Sequence, residues 1–407
     1  MILSKQKKQV LLLYSSTLVG VLLGIITSVV NTRVLVPAEY GDVRYVQNII
    51  SFISSILLVG YFTSGSRLLA LSKDKAYSRK IRGAMCMILG ITCGILGIIM
   101  LVLGIFNLNS SHSISPLFFV SIILGSNVLF LNYINTTAQG DNHIARLSIA
   151  RLLPAAVYIV SALLIFKLFK ATPLLMISLY NGINVFVLFG VIVSTKPSFS
   201  GLKESFHELN KENKKYGLQV YLGSLAAVST TYIAGITLGY FCEDNTAVGF
   251  YTLAGTMSTP LTLLPSIVGT TYFKKFASQN YIEKKVMIFS IAMTVGSLLA
   301  FITVISFVVS ILYNDSYSSV SLYASILALG SCAHGMGDMF NRFLGSHGQG
   351  KALRNGAFVS GTFITIGNLV LIYYFQIWGA IATSIIGSIV YLCMMVHYYL
   401  IFIKNTI

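Results

Sequence analysis

Long runs without a charged residue recur along the whole chain, and this feature constrains the fold more than any other. Apolar runs of about 18 residues or more are long enough to cross the hydrocarbon core of a bilayer as helices. Only 10% of the 407 residues are charged, against roughly a quarter in a soluble domain. The sequence therefore excludes an ordinary soluble enzyme and predicts an all-α integral membrane protein.

Hydropathy divides the chain into about twelve candidate transmembrane helices. The first follows Lys5, Lys7 and Lys8 and is too long for the apolar region of a signal peptide, so we expect it to be retained. The twelve segments are 10–30, 46–64, 83–106, 116–137, 152–169, 172–194, 216–241, 249–272, 286–312, 319–340, 357–375 and 377–402.

The basic residues predict which way these segments face. With a cytoplasmic N-terminus, the inside segments hold 24 of the 28 Lys and Arg residues, and the outside segments hold Arg33, Arg44, Lys167 and Lys170. Positive charge concentrates on the cytoplasmic side of membrane proteins. We therefore expect both termini in the cytoplasm and interpret the net charge of +16 as an orientation signal, with no nucleic-acid partner.

Weak internal similarity relates the two halves of the chain. Four short matches recur at an offset of 207 to 210 residues: Lys7-Lys8 with Lys214-Lys215, Gly41 with Gly249, Val59-Gly60 with Val268-Gly269, and Gln139-Gly140 with Gln349-Gly350. They predict two six-helix lobes, 1–195 and 216–407, related by a pseudo-two-fold axis along the membrane normal. The segment 196–215 between them has apolar residues at helical spacing and is predicted to form a cytoplasmic interfacial helix.

No motif predicts a catalytic, metal or nucleotide site. Residues 345–352 (GSHGQGKA) fit a P-loop except at Ala352, where the motif needs a hydroxyl for magnesium, and they follow a helix instead of a strand. The five cysteines and six histidines have no paired ligand spacing. We expect a protein that is not an enzyme and has no cofactor, with a proton or sodium gradient as its energy source.

Polar and charged residues cluster near the external end of the first span. They are Asn31, Arg33, Glu39, Asp42 and Arg44. One interpretation is a salt-bridge cluster at the membrane surface. The other is a cationic wall that meets an anionic substrate group, because arginine donates two parallel hydrogen bonds to a phosphate.

A second polar group lies on the tenth span. His334, Asp338 and Arg342 are spaced i, i+4 and i+8, which places them on one helix face. They would form local ion pairs or a protonatable stripe facing a cleft. Pro260 and Pro265 on the eighth span predict helix bends, which suit a carrier whose lobes move.

Two stretches resemble a known family. NTRVLVPAEYGDVRYVQNIISF (31–52) and VGFYTLAGTMSTPLTLLPSIVGTTYFKKFA (248–277) are similar to corresponding regions of polysaccharide flippases of the Wzx type. These flippases belong to the multidrug/oligosaccharidyl-lipid/polysaccharide exporter superfamily. The twelve helices, the duplicated lobes and the polar central connection match the same pattern.

The resemblance implies a transporter that flips an oligosaccharide repeat unit of O-antigen, lipopolysaccharide or capsule. The cargo would be linked to undecaprenyl pyrophosphate and would move from the cytoplasmic to the external leaflet of a bacterial inner membrane by alternating access. A polysaccharide polymerase and glycosyltransferases would be partners. The resemblance assigns pyrophosphate or sugar contacts to Arg33 and Arg44, with Asn31 beside them, and ion coupling to Asp338 and His334, with Arg342 on the same face.

Three other functions remain open at this stage. A cation-coupled multidrug antiporter has the same fold, but such exporters commonly hold an acid in a lobe core, and the first-lobe spans have no Asp or Glu at mid-depth. A lipid II flippase usually carries two C-terminal helices in addition to the twelve that are predicted here. A membrane-embedded sugar polymerase is expected to have a long external loop, and every predicted external loop is short.

Overall fold

The computed structural model describes residues 5–108 and 114–406, with the side chains of 5–14, 223, 226, 227 and 229 outside that description. Helices make up nearly all of these residues, and no strand occurs among them. Contacts divide the chain into two compact units. The first contains Met1–Leu35 and Val46–Leu225, and the second contains Val36–Tyr45 and Ala226–Ile407.

Nine helices and the start of a tenth account for most of the first unit. They are α1 (Lys5–Thr32), α2 (Pro37–Leu57), α3 (Tyr61–Leu71), α4 (Lys75–Phe106), α5 (Ser115–Leu124), α6 (Asn127–Gly140), α7 (Ile144–Leu168), α8 (Pro173–Ser194), α9 (Leu202–Glu212), a π-helical turn (Asn213–Gly217) and the start of α10 (Leu218–Phe241), counted over the described residues. The first turns of α2, Pro37 to Tyr45, belong to the second unit.

The second unit is completed by the rest of α10 and by five further helices. These five are α11 (Thr246–Ser258), α12 (Pro260–Phe276), α13 (Lys284–Leu312), α14 (Val320–Ser346), preceded by a 3-10 turn (Asp315–Tyr317), and α15 (Gly350–Thr406), again within the described part of the chain. The α15 backbone is not helical at Gln376, where φ is 50° and ψ is −126°. This confirms the predicted division between the last two spans.

All twelve predicted segments lie on helices, which confirms the all-α membrane class. By length and composition, eight described helical segments could cross a membrane, with α5 and α6 counted together as Ser115–Gly140, or nine if the bent pair α2 and α3 counts as one span. Three predicted spans are interrupted: 46–64, 116–137 and 249–272. The second span also begins earlier than predicted, at Pro37 instead of residue 46, because a helix end near the membrane surface tolerates charged residues that a hydropathy window rejects.

A sharp break separates α2 from α3, which are bent by 59°. Val59 and Gly60 have positive φ angles of 43° and 79°, a conformation that glycine adopts without a steric penalty. The Asn213 side chain satisfies the broken backbone: its Nδ2 donates to the Val59 carbonyl at 3.0 Å and its Oδ1 accepts from the Ser64 hydroxyl at 3.1 Å. The break is therefore fixed by the segment that follows α9.

The predicted amphipathic helix is α9, which packs on α3 and α4 in the first unit. Leu209 is fully buried, and the Phe206 ring stacks on Tyr61 with centroids 6.3 Å apart. Arg67 of α3 pairs with Glu212. The apolar face of α9 thus packs on one end of the helices of the first unit, and an ion pair holds its C-terminal end.

Close packing holds each unit together, because lipid tails are as apolar as leucine and give helices little hydrophobic drive to associate. In the second unit, Phe276, Met339, Phe343 and Met395 form a core between α12, α14 and α15. Large side chains such as Phe186, which is 81% exposed, remain outside the packed core. The chain is a multi-pass membrane protein whose exposed apolar surface faces lipid.

Candidate functional site

Asn31 and Arg33 lie at the end of α1 in the first unit. The Asn31 side chain is buried, and its Oδ1 accepts a hydrogen bond from the Tyr158 hydroxyl of α7. Tyr158 is held in turn by edge-to-face packing on Tyr180, with centroids 5.1 Å apart. The Asn31 Nδ2 has no hydrogen-bond partner among the described residues, whereas Arg33 follows the helix and is exposed. Asn31 therefore links α1 to α7 through its oxygen, and its amide NH2 group makes no hydrogen bond among the described residues.

Arg44 lies on the third turn of α2, within the second unit. Its Nε donates to the Tyr40 hydroxyl at 2.7 Å, and its guanidinium lies 4.9 Å from the centroid of the Tyr40 ring. Tyr40 is fully buried and packs edge-to-face on Tyr317 at 6.4 Å. Arg44 is therefore oriented by an aromatic pair. Arg33 and Arg44, adjacent in the predicted cluster, belong to different units.

The start of α2 packs on the start of α11 through backbone and one buried polar pair. A Cβ added at Gly249 would lie 2.8 Å from the Pro37 carbonyl oxygen and 3.3 Å from the Gly41 nitrogen. Beside this contact, the Asn245 Nδ2 donates to the Asp42 Oδ1 at 2.7 Å, and both residues are buried. Asp42 thus has a neutral amide partner in the second unit.

The predicted stripe on α14 divides into two parts. Asp338 Oδ1 accepts from the Tyr391 hydroxyl of α15 at 3.1 Å, and the His334 ring stacks on the Tyr391 ring at 4.6 Å. Asn341 Nδ2 donates to the same hydroxyl at 2.9 Å. Arg342 is exposed and forms no ion pair with Asp338 in the part of the chain that the structure describes. The tyrosine hydroxyl, and not an i, i+4 ion pair, is the partner of the carboxylate.

Pro260 and Pro265 mark an irregular helix in the second unit. The helix is interrupted after Ser258, Pro260 begins α12, and Pro265 lies inside it. A Cβ at Gly335 of α14 would lie 2.6 Å from the Thr262 carbonyl oxygen and 3.1 Å from the Pro265 Cδ. Pro265 therefore lies at a close approach of α12 to α14, and the role of both prolines as bends that move stays a prediction.

Sequence reasoning missed the tyrosines and asparagines that hold these sites. Tyr158 and Tyr391 lie in apolar spans, as does the buried pair in which Asn127 Nδ2 donates to Asn181 Oδ1 at 3.0 Å. Buried polar groups inside a membrane protein need internal partners. The usable signal was an isolated Asn or Tyr within each uncharged run. Among the described residues, no group of three His, Cys, Asp or Glu side chains could hold a metal ion.

Comparison with known proteins assigns the family. The sequence profile of the family described as "Polysaccharide biosynthesis protein" matches residues 7–273. The chain belongs to this family. An uncharacterized membrane protein of Methanocaldococcus jannaschii is 23% identical over 278 residues, which are 65% of this chain and 54% of the relative. The chain thus spans about half the length of the curated relative it matches.

Solved structures agree on the fold. The lipid II flippase MurJ, in an inward closed conformation, matches with a TM-score of 0.72 at 12% identity, covering 95% of this chain and 87% of that chain. An inward-facing multidrug resistance transporter of the MATE family, in the MOP superfamily, matches with a TM-score of 0.67 at 13% identity, covering 95% of each chain. At such identities the likeness shows the fold alone, and it confirms the predicted all-α architecture.

Proposed function

We propose that this protein is a transporter that flips a polyprenyl-pyrophosphate-linked oligosaccharide from the cytoplasmic to the external leaflet of a bacterial inner membrane. The family's description as polysaccharide biosynthesis proteins supports a sugar cargo. A lipid II flippase among the fold relatives supports a sugar that is carried on a lipid. The concentration of basic residues in alternate loops supports the direction in which the chain faces.

The observation that carries the proposal is the contact between α2 and α11. α2 begins in the second unit and continues into the first, and its opening turns pack on the start of α11. The contact consists of close backbone packing between Gly41 and Gly249 and a hydrogen bond from Asn245 to Asp42. Such a small, polar contact suits a gate that forms in one state of an alternating-access cycle and breaks in the other.

Arg33 and Arg44 are the proposed donors to the pyrophosphate. A guanidinium binds phosphate oxygens through two parallel hydrogen bonds, and lysine supplies charge without that geometry. The two arginines belong to different units, and each is proposed to donate to the pyrophosphate by itself. The polyprenyl tail would remain in lipid while the polar headgroup crosses.

Asp338 is the proposed coupling group. Ionised, its carboxylate accepts the hydrogen bond from Tyr391. Once protonated, it gains an O–H donor and keeps acceptor capacity, so the carboxyl group and the Tyr391 hydroxyl can exchange donor and acceptor roles. His334, stacked on the same ring, provides a second titratable group. Proton binding would thereby alter the packing of α14 on α15 and link a proton gradient to the movement of the gate.

The test is transbilayer movement of a fluorescent polyprenyl-pyrophosphate oligosaccharide in proteoliposomes. We expect movement that depends on the protein and that is faster with an imposed proton gradient. Efflux of organic cations without movement of the lipid-linked sugar would replace this proposal with a multidrug antiporter. Movement of lipid II alone would assign the chain to peptidoglycan synthesis.

A further inference from the structure

A basic pocket lies at one end of the first unit, apart from the residues discussed above. It has a volume of about 490 Å³ and is formed where α3, α6 and α8 end and where α4 and α7 begin. Six basic residues line it against two acidic ones. The basic residues are Lys73, Lys75, Arg79, Arg82, Arg146 and Lys196. They all come from segments predicted to face the cytoplasm.

The two carboxylates of this basic pocket are already engaged. Asp141 pairs with Arg82 at 2.9 Å and with Arg146 at 3.3 Å, and only 7% of its side chain is exposed. The Asp74 Oδ1 accepts from the Ala76 nitrogen at 2.8 Å and caps α4. The basic residues outnumber the carboxylates by four, so the pocket keeps an excess of positive charge that attracts an anion.

Backbone contacts hold two of the basic side chains in place. The Arg79 Nε donates to the Lys196 carbonyl at 2.9 Å, and the Arg82 Nη1 donates to the Thr195 carbonyl at 3.0 Å. Both bonds tie the start of α4 to the chain that follows α8. The basic pocket is thus built from fixed elements, which lowers the entropic cost of ligand binding.

Two apolar grooves open from the basic pocket. The α7–α8 groove, of about 640 Å³, shares His143, Arg146 and Ser194 with the pocket and continues past Leu153 and Phe186. The α4–α8 groove, of about 610 Å³, shares Lys196 and is lined mainly by apolar side chains. Phe186 and Phe189 are 81% and 56% exposed, so the surface between the grooves faces lipid.

We propose that the first unit binds one anionic glycerophospholipid in this place. The phosphodiester would lie in the basic pocket, and one acyl chain would occupy each groove. The lipid matches the site in charge and in shape. Its singly charged headgroup fits the basic pocket at the membrane boundary, and its two apolar chains fit the two grooves. A zwitterionic lipid would bring an ammonium group into a site that already has excess positive charge, so phosphatidylglycerol is favoured over phosphatidylcholine.

The test measures lipid retained by the purified full-length protein in native mass spectrometry. We expect one phosphatidylglycerol to be held at least about five-fold more tightly than phosphatidylcholine with the same acyl chains, because basic residues near the membrane surface attract a lipid with net negative charge. The double substitution Lys73→Gln/Arg146→Gln should remove this preference, and it leaves the Arg82–Asp141 pair intact. The matched control Lys211→Gln/Lys214→Gln removes the same charge from exposed positions outside the pocket and should keep the preference.

A second pair of variants tests the grooves without changing charge. A Cβ at Gly190 in the α7–α8 groove, or at Gly90 in the α4–α8 groove, would meet nothing within 4 Å. Leucine at either position should fill a groove and weaken phosphatidylglycerol binding several-fold. Gly296→Leu on α13, where the space is equally open, is the control and should leave binding unchanged.

Three results would overturn the proposal. Equal retention of the two lipids by the natural protein would remove the charge argument. If the control double variant loses the preference for phosphatidylglycerol equally, the preference arises from the general surface charge of the protein and not from the basic pocket. If inorganic phosphate protects the protein from thermal unfolding as well as phosphatidylglycerol does, and both leucine variants bind lipid normally, the pocket is a site for a soluble anion instead.

Discussion

Gly249 packs against the backbone of Gly41, the glycine with which the sequence repeat pairs it. A Cβ at Gly249 would lie 3.3 Å from the Gly41 nitrogen, and a Cβ at Gly41 would lie 1.8 Å from the Asn245 carbonyl oxygen. Neither position has room for a side chain. Both glycines lie in the second unit, Gly41 in the opening turns of α2 and Gly249 near the start of α11.

The first prediction concerns this contact. Gly41→Ala forces the start of α2 away from α11, because the obstructing atom is a backbone oxygen that cannot rotate aside. Overpacking of this kind costs about 1–3 kcal/mol. Gly255→Ala on α11 is the control, since its Cβ meets nothing within 4 Å and alanine favours a helix. Thermal unfolding of the purified proteins should rank Gly41→Ala below Gly255→Ala, and equal Tm values would contradict the close packing.

The second prediction concerns the break between α2 and α3. Gly60 has a positive φ, and a Cβ there would lie 2.5 Å from the Gly217 carbonyl oxygen. Gly60→Ala should therefore lower the free energy of unfolding by more than about 1 kcal/mol. Asn213→Ala should cost a similar amount, because it leaves the Val59 carbonyl without its donor. Lys214→Ala, at the exposed neighbouring position, should have no measurable effect on Tm, and a loss as large as that of Asn213→Ala would refute this role of the amide.

The third prediction concerns coupling. Asp338→Asn keeps the size of the side chain but cannot be protonated, so transport should lose its dependence on a proton gradient while the protein stays folded. Tyr391→Phe removes the bond to Asp338 and should lower stability by about 1 kcal/mol. Arg342→Gln, an exposed position on the same helix, should retain the gradient dependence. Gradient-driven transport at the natural rate in Asp338→Asn would exclude this carboxylate as the coupling group.

The fourth prediction concerns the substrate. Arg33→Ala and Arg44→Ala should each reduce the initial rate of transport about ten-fold or more, since each removes a bidentate donor to the pyrophosphate. Arg33→Lys and Arg44→Lys should retain part of the rate at equal expression, because charge remains. Lys167→Ala, at an exposed position also predicted to face outside, controls for loss of charge on that side. Natural rates in both alanine variants would return the two arginines to a role at the membrane surface.

The sequence predicted the helical segments well because crossing a membrane requires a length of apolar chain that few other structures need. It placed the division at Gln376 and the amphipathic α9 correctly. It missed the break at Val59-Gly60, since that break depends on Asn213, which is 154 residues away. Hydropathy records composition along the chain and contains no information on such a partner.

The candidate sites were harder to predict for the same reason. The i, i+4 spacing of Asp338 and Arg342 suggested an ion pair, but the carboxylate meets Tyr391 on another helix. The cluster around Arg33 and Arg44 was adjacent in sequence, yet the chain passes from one unit to the other between Leu35 and Val36. Residues close in sequence lie near the same helix end. The residues that they contact, however, depend on how the helices pack, which spacing along the chain does not reveal.

The gate contact can be tested most directly by a reversible cross-link. Asp42→Cys and Asn245→Cys would be introduced into a chain whose five native cysteines are replaced by alanine, and the pair joined with a short bifunctional methanethiosulfonate reagent. The measurement is the movement of a fluorescent polyprenyl-pyrophosphate oligosaccharide across proteoliposome membranes before cross-linking, after it, and after reduction. Our account predicts movement that stops on cross-linking and returns on reduction. Movement at an unchanged rate with the pair joined would contradict it.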